Sequence, residues 1–160
     1  MQLNETLSYP AEPDAVFDMF CDRSWREQVC EMAHARSYDV SVERTGDSAT
    51  IVVERVMPAD LPDAIRKFLG ETVTVKQTEH WGDPDADGTR RADVEVHIAG
   101  QPASMEGTSV LRGGDTSTMT VEGDVRVKVP LFGRKIEPEV AKAITAALRI
   151  EERSARTYLA

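Results

Sequence analysis

Residues 2–9 alternate, with Leu3, Glu5, Leu7 and Tyr9 on one side and Gln2, Asn4, Thr6 and Ser8 on the other. A period of two over eight residues predicts a strand. Pro10 and Pro13 stop it, and Asp14–Phe20 reads as a short helix with Val16, Phe17 and Phe20 on one stripe. Ser24-Trp25-Arg26-Glu27 matches a capping box, so a second helix is expected from there to about His34.

Further strands follow, and their pairing can be tested by parity. Residues directly opposite in a hairpin point to the same face, so the apolar positions of both arms must coincide. A two-residue turn at Gly46-Asp47 pairs Val42 with Ile51 and Val40 with Val53. A polar loop near Asp83–Gly88 sets Val75 opposite Val96. A turn at Ala99–Pro102 pairs Val96 with Met105 and Ile98 with Ala103. A three-residue loop at Gly113-Gly114-Asp115 puts Leu111 against Ser117, Ser109 against Met119 and Gly107 against Val121. The last strand carries Met119, Val121, Gly123, Val125, Val127 and Val129 inward and Thr120, Glu122, Asp124, Arg126 and Lys128 outward. All four registers share one buried face, which predicts a continuous antiparallel meander with its charged face in water.

Two more helices complete the pattern. Leu61–Gly70 is a short one, with Pro62 at its first position and Gly70 as its stop. The C-terminal segment is long, and Pro138 places its regular start near Glu137. Val140, Ile144, Ala147, Leu148, Ala155 and Leu159 form its apolar stripe. Glu139, Lys142, Arg149, Glu152, Arg153 and Arg156 form its wet side. About 22 residues at 1.5 Å each span roughly 33 Å, enough to cross the sheet.

Composition narrows the function classes. The 160 residues are 41% hydrophobic and 29% charged, which is the range of one globular domain. The net charge of −9 argues against nucleic acid and anionic membrane surfaces as partners. No run of 18 apolar residues predicts a membrane span. Met1–Glu5 has neither a basic nor an apolar leader pattern, and Cys21 and Cys30 make no disulfide framework, so a cytoplasmic protein is expected.

The order strand, two short helices, six-strand meander and long C-terminal helix resembles the helix-grip fold of the START-like (SRPBCC) superfamily. Three segments are similar to one uncharacterised branch of it: Val129–Glu137, the approach from Tyr9-Pro10 to Phe17, and Trp81 at a strand end. The expected class is α+β, a seven-stranded curved antiparallel sheet around a long helix in a single domain of residues 1–160. The resemblance implies an apolar cavity between sheet and helix and a hydrophobic small-molecule partner such as a lipid or polyketide. A minority of such proteins are cyclases or dehydratases, and some are co-chaperones. The candidate lining is Phe20, Tyr38, Val40, Val53, Arg55, Val75, Gln77, Glu79, Val96, Met105, Met119, Val121, Ile144 and Leu148. A monomer or homodimer is expected, without cofactor, metal or catalytic set.

Other chemistry-bearing residues have plain structural readings. Asp83–Gly88 matches half of an EF-hand loop, but Val94 stands where the bidentate Glu is needed, so a turn is expected. His34, His80 and His97 have no metal-ligand spacing. Cys30 and His34 are one helical turn apart, but no orienting group accompanies them, so buried thiols are expected. Met19, Met32, Met105 and Met119 are read as core or cavity wall, and Gly107, Gly123 and Ala147 as small residues leaving inner space. By parity, Glu5, Arg55, Gln77 and Glu79 point inward. Burying such groups requires compensation. They can lie at a wet rim, pair (Arg55 with Glu5 or Glu79), or hold a ligand's polar head. If the protein is an enzyme, Glu5, Glu79 or Tyr38 would be its acid or base and Arg55 its enolate stabiliser.

Overall fold

The computed structural model describes the backbone of residues 1–160 and every side chain except that of Phe68. The elements run β1 (Gln2–Tyr9), α1 (Pro13–Phe20), α2 (Arg23–Met32), β2 (Ser37–Thr45), β3 (Ser48–Pro58), α3 (Asp63–Leu69), β4 (Thr72–Trp81), β5 (Arg90–Ile98), β6 (Ala103–Gly113), β7 (Ser117–Val127) and α4 (Gly133–Tyr158). The seven strands form one antiparallel sheet in the order β1-β7-β6-β5-β4-β3-β2. β2 to β7 are therefore a meander, and β1 closes against its last strand. This is the expected α+β helix-grip architecture, with α4 held against the concave face.

The parity rule assigns the faces correctly, and two registers shift. Val42 pairs with Ile51 and Val40 with Val53 around Gly46, whose φ of 60° suits a glycine in a two-residue turn. Val96 pairs with Met105 as expected, and that ladder ends at His97 with Ser104. Val75, however, faces Ile98, and Gln77 faces Val96. Likewise Leu111 meets Met119, Ser109 meets Val121 and Gly107 meets Gly123. β6 continues to Gly113, which pairs with Ser117, so the three-residue loop is Gly114-Asp115-Thr116. Both slips are by two residues, and a two-residue slip returns every side chain to its own face.

The helix boundaries move for local reasons. α2 is capped by Asp22, whose Oδ1 accepts from the Ser24 amide at 2.9 Å, so the helix starts at Arg23 and no Ser24 capping box forms. It ends at Met32, and His34 follows with a positive φ of 60°. α4 starts four residues before Glu137. Ile136 N donates to Phe132 O, building the first turn ahead of Pro138. A side chain at Gly133 would overlap the carbonyl oxygen of Val127, so that junction needs glycine. At 26 residues α4 is about 39 Å long.

Small residues on β6 and β7 have a different purpose from the expected one. A Cβ on Gly107 would strike the Glu122 carbonyl, and one on Gly123 would press on the Met105 side chain at 3.0 Å. Close strand approach and Met105 use that space; neither glycine borders the cavity. Met32 is also no part of core or cavity wall, being 46% exposed.

Candidate functional site: a cavity with a polar floor

α4 packs on β7 and β1 and on α2, and bridges the remainder of the sheet. Its ends are buried through Ile136, Val140 and Ala141 and through Glu151, Ser154 and Ala155, whereas Ile144, Ala147, Leu148 and Ile150 are half-buried. Beneath this middle section lies a cavity of about 560 Å³. Its walls are apolar: Val73 and Val75 of β4, Val94, Val96 and Ile98 of β5, Met105, Met119 and Val121, and Ile144, Ala147, Leu148 and Ile150 of α4. Exposed His34, Pro58, Asp60, Lys142, Ala143 and Ala146 rim its mouth. Such a volume lies within the usual range for a small-molecule site, about 300–1,000 Å³.

β4 runs from mouth to floor. Val73 and Val75 are half-buried, and Gln77, Glu79 and Trp81 are buried. At the floor, Arg26 of α2 meets Glu79 in a bidentate pair, Nη1 to Oε1 at 2.9 Å and Nη2 to Oε2 at 3.0 Å. Arg26 Nε donates to Phe20 O at 2.8 Å. Gln77 Nε2 donates to Glu79 Oε1 at 2.6 Å and Trp81 Nε1 to Oε2 at 2.8 Å. Each Glu79 oxygen thus takes two donors. Burial pushes the Glu79 carboxyl up, but the Arg26 charge and these hydrogen bonds outweigh it and hold the group below its ordinary range.

Glu151 of α4 brings a second carboxyl to the floor, 4.0 Å from Arg26 Nη1 and 5% exposed. Burial raises it, Arg26 lowers it, and the neighbouring Glu79 charge raises it again; the outcome lies above the ordinary value. Two carboxyls beside one guanidinium are thereby driven in opposite directions.

Aromatic rings seal the floor from behind. Phe20 lies 5.6 Å from Tyr9, 5.9 Å from Trp25 and 5.5 Å from Trp81, centroid to centroid. The Arg90 guanidinium sits 4.0 Å above the Phe17 ring and donates to Asp14 and to the Asp47 carbonyl.

Of the candidate lining residues, Phe20, Arg55, Val75, Gln77, Glu79, Val96, Met105, Met119, Val121, Ile144 and Leu148 border the cavity. Tyr38, Val40 and Val53 do not. Val40 and Val53 are packed into the core. Tyr38 is exposed, and its phenol, donating to Glu31 at 2.7 Å, is pushed up to about 12 by that bond. Glu5 is outside too: Arg149 holds it at 2.6 Å, with Thr145 donating at 3.1 Å. The expected partners of Arg55 are thus both engaged elsewhere, Glu5 by Arg149 and Glu79 by Arg26. Arg26 and Glu151 were missed. Arg26 reads as a helix-start residue, and Glu151 belongs to a run of charges at 149–156. A signal for Glu151 does exist: it lies seven residues from Ile144 and three from Leu148, on the apolar stripe.

Cys30 is buried and Cys21 half-buried, both as free thiols that burial raises above the ordinary thiol range. Among the described residues, no three His, Cys, Asp or Glu side chains converge as metal ligands, and no helix is long and apolar enough to cross a membrane. Asp83–Gly88 is a turn, with Asp85 N donating to Thr89 O at 2.8 Å.

Comparison with known proteins agrees with this architecture. An uncharacterized protein of Mycobacterium tuberculosis, Rv0481c, is 29% identical over 117 residues, which cover 68% of this chain. The match spans 66% of that protein's length, slightly under two thirds. The crystal structure of TTHA0849 from Thermus thermophilus superimposes with a TM-score of 0.62 at 17% identity, covering 97% of each chain. A START superfamily protein from Mycobacterium smegmatis gives 0.55 at 13% identity, covering 96% of each. The Zhui aromatase/cyclase from a Streptomyces species gives 0.52 at 12%, covering 96% of this chain and 87% of that one. At these identities the structures share a fold, the START-like helix grip. The model of the family described as "Protein of unknown function (DUF2505)" matches residues 4–159, nearly the whole sheet-and-helix unit, and the chain belongs to that family.

Proposed function

We propose that the protein is an intracellular binding protein for a hydrophobic small molecule, lipid or polyketide-like, held between the sheet and α4. The observation that carries this reading is the 560 Å³ cavity itself: apolar walls, a mouth at one end and a few buried polar groups at the other. A packed interior has few voids larger than a water molecule, and this one is larger by an order of magnitude. The two free cysteines are in keeping with a reducing compartment. Native mass spectrometry of the purified protein, followed by solvent extraction, tests the reading. A bound apolar molecule that denaturation releases is expected. Protein that stays empty and shows no uptake of any apolar probe overturns it.

One observation favours a second reading, an acid–base enzyme of the cyclase or dehydratase kind. Glu79 and Glu151 share a floor and are shifted in opposite senses, which would give an anion and a proton donor side by side. On that reading Glu151, not Glu5 or Tyr38, is the acid. A Glu151→Gln variant that leaves turnover of a β-ketoacyl thioester unchanged would exclude the role.

A further inference from the structure

Among the described residues, one buried cation of the cavity wall has no carboxylate in contact with it. Arg55 of β3 is 9% exposed and borders the cavity. Its guanidinium reaches only the Gln77 amide oxygen, at 3.4 and 3.5 Å, and the Cys30 thiol. Among the described residues, no carboxylate comes within 4.0 Å of it. Glu79 has both oxygens occupied by Arg26, Gln77 and Trp81. Glu151 feels the Arg55 charge, but the guanidinium it contacts is that of Arg26, at 4.0 Å. Of the two guanidinium groups at the floor, only Arg26 is therefore in contact with carboxylates. A buried cation with neither pair nor full hydrogen bonding is costly, and a planar anion relieves it best.

We infer that Arg55 receives the carboxylate of an amphiphilic acid, whose apolar body lies along Val94, Val96, Met105 and Val121 under Ile144 and Leu148 of α4. The inference rests on the ligand-binding reading above and names the class of ligand. A carboxylate matches the guanidinium fork and gives Arg55 the contact anion it lacks. A phosphate monoester carries more charge than Arg55 alone neutralises and would stand beside anionic Glu79. An alcohol or ester leaves the cation unpaired.

The test uses the full chain and the neutral fluorophore N-phenyl-1-naphthylamine as cavity reporter. Decanoate, decanol, methyl decanoate and decyl phosphate compete for it. Decanoate is expected to displace the reporter at concentrations about tenfold lower than decanol or the methyl ester, the size of one charge-assisted contact. In Arg55→Gln the acid-over-alcohol preference should collapse to about twofold or less, and Arg55→Lys should retain part of it. Equal potency of acid and alcohol on the wild-type protein overturns the inference, as does decyl phosphate outcompeting decanoate tenfold, and neither result depends on a variant folding. A wild-type protein that binds no reporter overturns the cavity reading underneath instead, so the two failures are told apart.

Discussion

The two ends of the grip are built from opposite materials. At the closed end, α1 and α2 press Tyr9, Phe17, Phe20, Trp25 and Trp81 together and lock Arg26 onto Glu79. Every ring there is nearly or fully buried. At the open end, the middle of α4 faces Val73, Val75, Val96 and Ile98 across empty volume, and all of these are half-buried. The closed end holds the fold together. The open end needs only to be apolar and to leave room. Stability and capacity are thus assigned to different residues of one continuous interior.

The sharpest way to break that division is Arg26→Ala. It leaves the Glu79 carboxylate buried without its partner, which costs about 3–5 kcal/mol in urea-unfolding free energy. It should also reverse Glu79's share of the acid dependence, since without Arg26 burial pushes that carboxyl up. The depressed Glu79 value contributes stability that is present above the unfolded value of about 4.3 and lost as pH falls through the folded value.

Glu151→Gln should act in the other direction. A carboxyl raised by burial holds a proton that the unfolded chain has released, so stability drains as pH rises from the unfolded to the folded value. The amide removes that loss. At pH 7–8 the variant is expected to be more stable than the parent, by about 1 kcal/mol or more, and to match it below pH 4. The groups facing position 151 are Arg26, Arg55, Gln77, Glu79 and Tyr9, and none of them changes. A thermal-unfolding series across pH settles the sign.

Ala147→Trp fills the open end. Because the ring enters existing space, the stability change should stay within about 1 kcal/mol, in contrast to the 1–3 kcal/mol of overpacking in a filled core. Reporter binding and any co-purifying molecule should be lost. A variant that unfolds instead would show that this wall is as tightly set as the floor.

The smallest effect is expected for Tyr38→Phe. The side chain is exposed and outside the cavity, and its hydroxyl contacts only Glu31. Melting temperature and reporter affinity should both match the wild type. A loss of binding would extend the site to the sheet edge.

The sheet was legible because each strand announces its faces by alternation, and a slip of two residues cannot alter that. What alternation cannot supply is registry, which hairpin loop length decides: one glycine more in β6 moved three pairs. The long helix was legible as a stripe, but its start was hidden by Pro138, which reads as a first-turn residue and sits at the sixth position. Inward Arg55, Gln77 and Glu79 were found by the same parity. Their partners were not, because Arg26 and Glu151 reach the floor from α2 and α4, and pairing between distant elements leaves no period in a sequence. Tyr38, Val40 and Val53 were misplaced as cavity wall since parity separates inside from outside but not a filled interior from an empty one.

A beam supported at both tips and slack between them has a practical corollary. Between Ile144 and Leu148 the cavity-facing positions 144, 147 and 148 can trade one side chain for another with little consequence for whether the chain folds, because the contacts of α4 with β1 run through Thr145 and Arg149 instead. The chamber's calibre is consequently among the cheapest properties of this molecule to alter, and divergence among relatives should collect along that short span while the tips stay put.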